Sequence, residues 1–146
     1  MAMVERKETK YVVIHCADTP ADMDVGAADI RRWHVDERGW DDVGYHWIIK
    51  RSGQLEPGRD QRLQGSHALA VNSKSIGVCL VGRGDNFTED QMYTLHNVIQ
   101  TIKDIWMNEN QNAGIELLEW SKNYNSLTPV LIMSGHGSIE SAMIAA

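Results

Sequence analysis

Residues 45–59 read YHWIIKRSGQLEPGR. The run YHWIIKR, residues 45–51, is aromatic and β-branched enough to form a strand. Ser52–Gly53 then makes a tight turn into a second short strand within QLEPGR. A two-residue connection permits only antiparallel pairing, so any sheet that holds these strands contains an antiparallel pair. Downstream, SIGVCLVG at residues 75–82 is the clearest core strand of the chain. Upstream, YVVIHC at residues 11–16 alternates poorly and is rich in β-branched residues, which suits a strand buried on both faces. PVLIMSGH, residues 129–136, reads as a last strand.

Helical patterns separate these strands. Over residues 25–38, Val25, Ile30 and Trp33 share one face; Asp24 is placed to cap the helix and Gly39 to end it. Thr88 with Gln91 forms a capping-box pattern before a helix running to about Met107. Its stripe of Met92, Leu95, Val98, Ile99, Ile102, Ile105 and Trp106 is core packing. A further short helix fits residues 115–121. The order β-α-β-β-β-α-β predicts an α/β fold with one central mixed sheet flanked by helices.

The whole chain sets outer limits. Its 146 residues fit a single domain, with residues 1–10 as a charged, solvated arm before the domain of residues 11–146. A net charge of −6 argues against direct nucleic-acid binding, which favours a basic stripe. Cys16 and Cys79 lie in apolar strand runs and read as buried thiols, not a disulfide framework. The start MAMVERKETK has no apolar core of a secretory signal, and no apolar run approaches a membrane span of ~18–20 residues. The expectation is a soluble monomer made in the cytoplasm. The polar loop of residues 61–74, QRLQGSHALAVNSK, has the length of a functional loop.

Two histidines carry the chemical signal. His15 ends the first strand and His136 the last. If the two strands are neighbours and parallel, both imidazoles reach one edge of the sheet, where ligand sites of open α/β sheets gather. Zinc takes neutral imidazole, and catalytic zinc sites combine three protein ligands with one open position. A core histidine with a hydrogen-bond partner is the other reading of either residue alone.

Taken in order over about residues 11–136, the blocks VIHCADT, IRRWH, GWDDVGYHWIIKRSGQLEPGRD, GSHALAVNSKSIGVCLVG and SGH resemble the zinc-dependent N-acetylmuramoyl-L-alanine amidases. The small endolysins of short-tailed phages look most similar, and peptidoglycan recognition proteins are similar at greater distance. The resemblance implies cleavage of the amide between N-acetylmuramic acid and L-alanine in peptidoglycan, with Zn2+ as cofactor. It implies His15 and His136 as metal ligands and Tyr45 as the catalytic phenol beside the attacking water. It also implies His67 near the substrate groove, with Asn72 shaping the same loop. A phage or prophage endolysin without a signal would need a separate lysis protein to reach the cell wall. The alternative is an impaired member that binds peptidoglycan or a phage RNA polymerase.

The chain departs from that family at its end. The family's third ligand, a cysteine or aspartate, falls about eight residues after the second histidine, with a lysine two before it. Ile144 and Ala142 stand there. After His136 the only titratable side chain is Glu140, a candidate oxygen ligand if the tail turns back. The usual C-terminal segment is thus expected to be missing, and the third ligand stays open. Elsewhere His34 and His46 read as structural, with His46 facing away from Tyr45. His96 carries no assigned role. Trp40 lines either groove or core. Arg59 and Asp60 read as an ion pair at a strand end or as substrate contacts, with the structural reading favoured.

Overall fold

At the centre of the sheet lies a strand in which every residue is buried, Ser75–Leu80, here β4. The computed structural model of the chain describes residues 3–106 and the backbone of residues 131–134. Around β4 run β1 (Tyr11–Cys16), β2 (Trp47–Ile49), β3 (Leu55–Pro57) and β5 (Leu131–Ser134), in the order β3-β2-β4-β1-β5. β4 pairs parallel with β1 and with β2, so that His15 and Ile48 both stand beside Cys79. β2 and β3 pair antiparallel, from Trp47 beside Pro57 to Ile49 beside Leu55. Their turn is closed by the Lys50 N–H donating to the Gln54 carbonyl at 2.9 Å, and Gly53 sits at φ +88°, where glycine is unstrained. The sheet is mixed for the reason the turn gave.

The period of two sorts the side chains into two layers. Val12, Ile14, Ile76, Val78 and Leu80 pack under Leu95, Val98, Ile99 and Ile102 of α2, Glu89–Trp106. On the other face Ile48, Cys79 and Val81 meet Val43 and Ile30 of α1, Ala27–Arg32. The α2 capping box forms: the Thr88 N–H donates to the Gln91 side chain at 2.9 Å and the Gln91 N–H to the Thr88 hydroxyl at 3.1 Å.

The start of α1 differs from the expected cap at Asp24. Gly26 takes that position, its N–H donating to the Asp29 carboxylate at 3.0 Å, and Glu56 of β3 accepts the Ala27 N–H at 2.9 Å. A carboxylate brought by a distant strand thus does the capping. α1 continues into a π-helical turn, Trp33–Glu37, and stops at Gly39 (φ +73°), whose N–H donates to the Val35 carbonyl at 3.1 Å.

Two further points bear on the expectations. The N-terminal arm is mostly exposed, as a solvated arm should be, yet backbone hydrogen bonds tie it down. The Arg6 N–H donates to the Arg62 carbonyl, the Gln64 N–H to that of Val4 and the Lys10 N–H to that of Lys74, each at 2.7 Å. Arg6 also donates from Nε to the Gln61 carbonyl at 2.7 Å, and its guanidinium covers the Trp106 ring at 4.8 Å. Secondly, β5 is a neighbour of β1 but runs antiparallel, with Ser134 beside Tyr11 and Leu131 beside Ile14. Its carboxyl end therefore stands about 13 Å from His15, four strand residues away. A connection longer than a dozen residues allows either direction, so the pattern of the strand could not choose. His136, Glu140 and the expected helix at 115–121 lie outside the described residues.

Candidate active site

Ring contacts run unbroken from Trp40 through His34, Tyr45, His15 and His67 to His46. Successive centroids are 4.5, 5.4, 5.1, 5.0 and 5.7 Å apart. His15 is next to last in β1 and 3% exposed. Burial pushes its pKa down to about 3, so the imidazole is neutral at physiological pH. Its Nε2 lies 2.9 Å from Nδ1 of His67.

His67 comes from the long loop, and the loop is built to hold it. The Asn72 side-chain carbonyl accepts the N–H groups of His67 and Ala68 at 3.1 and 2.9 Å. The ring fills the space left by two glycines. A Cβ on Gly77 would meet it at 2.7 Å, and one on Gly65 at 2.5 Å. Burial, then the neighbouring His15 and His46, hold His67 well below the ordinary histidine range.

His46 is the floor of this cradle. Its Nδ1 accepts the Gly77 N–H at 2.9 Å, so its Nε2 carries the proton and donates to the Leu63 carbonyl at 2.8 Å. Burial brings its pKa down to about 4. The structural role expected for His46 agrees with these bonds. Its expected orientation away from Tyr45 does not hold, because residues 45 and 46 precede the first pleated residue, Trp47. Both rings flank the His15–His67 pair.

Tyr45 is held from behind by His34, whose Nδ1 accepts the Gly44 N–H at 2.8 Å. Burial, followed by the thiols of Cys79 and Cys16, raises the Tyr45 pKa well above its ordinary value. The phenol therefore stays a hydrogen-bond donor at neutral pH. Trp40 packs on His34 and also lines a cleft of about 380 Å³ with Met3, Asp41, Arg59 and Ser66.

Arg59 and Asp60 do not pair with each other. Arg59 is buried and donates to the carbonyls of Val43, Gln64 and Asp42 at 2.9, 2.8 and 3.1 Å. Asp60 binds Arg62 at 2.8 Å. Arg59 thus fixes the floor beneath Tyr45 and Ser66, a role its position in GRD did not signal.

Among the described residues no three His, Cys, Asp or Glu side chains stand close enough to hold a metal ion. They bring together His15, His67, Tyr45 and Asn72, while His136 lies outside them. The donor chemistry at His15 fits zinc: a neutral imidazole with one nitrogen committed and the other left to ligate. Ser75, Gly65 and Gly77 were not singled out by the sequence. A glycine inside the core strand SIGVCL was the available signal, since such a residue marks close approach by another group.

A family profile described as N-acetylmuramoyl-L-alanine amidase matches residues 5–142. The endolysin of Klebsiella phage KP32 is 49% identical over 106 residues, covering 68% of this chain and 70% of that protein. The endolysin of Escherichia phage T7 is 47% identical over 105 residues, covering 67% and 69%. Among solved structures, Drosophila PGRP-LB superposes with a TM-score of 0.61 at 28% identity, over 68% of this chain but only 64% of the fly chain. The endolysin N-acetylmuramoyl-L-alanine amidase LysCS of Clostridium intestinale gives 0.63 at 26% identity, over 71% and 67%.

Proposed function

Because this chain belongs to the N-acetylmuramoyl-L-alanine amidase family, we propose that it is a zinc-dependent phage or prophage endolysin. It cuts the amide between N-acetylmuramic acid and L-alanine of peptidoglycan. The observation that carries this reading is the buried, neutral His15, held by His67, with the Tyr45 ring tilted against it 5.1 Å away.

Zinc, when bound, supplies a Lewis acid that polarises the poorly electrophilic amide and brings the pKa of water toward ~7. His15 would hold it, with His136 and a third group, Glu140 being the candidate. Tyr45 donates a hydrogen bond to the oxyanion as it develops, from a phenol kept protonated by its burial. His34 holds that ring in place. The Asn72-braced loop keeps His67 against His15 and forms one wall of the substrate site.

Zinc content of the purified chain, with turbidity loss of a cell-wall suspension before and after chelation, tests this. About one zinc per chain and chelator-sensitive clearing are expected. Loss of zinc in His136→Ala and Glu140→Ala would identify the remaining ligands. A folded chain that neither binds zinc nor clears walls in excess metal rules the enzyme out.

A further inference from the structure

We propose that Ser75 is a positioning residue that fixes the tautomer of His15 through His67, so that His15 presents its Nδ1 lone pair. The metal part of this inference rests on the zinc reading; the tautomer does not. The Ser75 hydroxyl donates to the Val71 carbonyl at 2.8 Å. A hydroxyl has one proton, so toward His67 Nε2, 3.3 Å away, Ser75 Oγ acts as an acceptor. His67 thus carries its proton on Nε2. As a neutral ring it has a bare Nδ1, which accepts from Nε2–H of His15 at 2.9 Å. His15, neutral as well, keeps its lone pair on Nδ1.

The direction of this relay is fixed at its origin. Val71 caps the loop just before the 3-10 turn Asn72–Lys74, and its carbonyl also accepts the Lys74 N–H at 2.9 Å. Two acceptances use both lone pairs of that oxygen. Ser75 itself is 0% exposed, so no bulk solvent competes for its proton. Metal-bound histidines elsewhere are oriented through the second ring nitrogen by a carboxylate, carbonyl or water. Here a neutral histidine takes that place, and a serine two bonds away decides whether it can accept.

Long-range proton–nitrogen correlation spectra of the metal-free chain at neutral pH read the tautomer of each histidine. The expected result is Nε2–H for both His15 and His67. In Ser75→Ala, His15 should exchange between tautomers, and zinc binding, measured by competition with a chromophoric chelator, should weaken by about 10–100-fold. His67→Asn puts an amide oxygen near the Nδ1 position, which accepts from His15 whatever stands at 75. Adding Ser75→Ala to that variant should cost no further affinity. Nδ1–H on His15 in the wild type overturns the proposal. So does a Ser75→Ala chain that keeps both the wild-type spectrum and its zinc affinity. If Ser75→Ala does not fold, the wild-type spectrum decides alone: a proton on Nδ1 of either His67 or His15 overturns the relay. A wild type that binds no zinc defeats the proposed function, while the spectra still decide the relay.

Discussion

The His67 ring lies where a side chain on Gly77 would begin, with three ring atoms 2.7 to 2.8 Å from that Cβ position. The neighbour is a buried ring with no room to give, so the smallest substitution at 77 has to displace it. Gly77→Ala should lower stability by about 1–3 kcal/mol, the usual cost of overpacking. It should also weaken zinc binding, because the displaced His67 no longer accepts from His15. Urea unfolding and chelator competition measure the two effects, and an unchanged zinc affinity would show that His67 is not needed where it stands. Tyr45 separates chemistry from architecture. Tyr45→Phe keeps the ring that packs between His34 and His15 but removes the donor. Wall clearing should slow by about 10²–10³-fold, as for other lost oxyanion donors, with zinc content and unfolding midpoint close to wild type. Equal clearing by the two proteins would remove the phenol from the mechanism.

At the scale of elements, the long loop is the part that turns a strand-end histidine into a site. Asn72 holds it by accepting two backbone N–H groups with one oxygen. Asn72→Ala leaves both donors without that partner and should cost about 1–3 kcal/mol. Asn72→Asp keeps the acceptor and should recover most of the loss, in the same urea experiment. What the sequence revealed about these elements follows the range of the forces involved. The Thr88–Gln91 box and the Gly39 stop are decided within four residues, and both could be read directly. The cap of α1 could not, because Glu56 reaches Ala27 from 29 residues away. His15 was legible as a chemical residue, yet its partner His67 is 52 positions on. Arg59 looked like half of an ion pair because its neighbour is acidic. Burial instead turned it toward three backbone carbonyls. The direction of β5 was invisible, since apolar runs look alike both ways.

For the molecule as a whole, the cost of burying so many neutral rings appears in its dependence on pH. His46 and His34 are both held down to about 4 by burial, and His15 to about 3. In the unfolded chain each returns to about 6.5. Between those values the unfolded state binds more protons than the folded one, so stability rises with pH and is lost as pH falls below about 6.5. Each histidine contributes up to about 1.4 kcal/mol per pH unit in that window. The Asp60–Arg62 pair acts lower down. Its carboxyl is held at about 2, chiefly by the Arg62 side chain, so its contribution disappears only below the ordinary carboxylate range. The two windows separate in an experiment. Urea unfolding of the metal-free chain should give a nearly constant free energy from pH 7 to 8 and a steep decline between about 6.5 and 4. His34→Gln should lower stability at pH 7 and flatten that decline, because one titrating ring is gone while an amide can still accept the Gly44 N–H. A wild-type profile that stays level down to pH 4 would mean that the rings take up protons as readily in the folded protein as in the unfolded chain, and that burial does not hold their pKa values down.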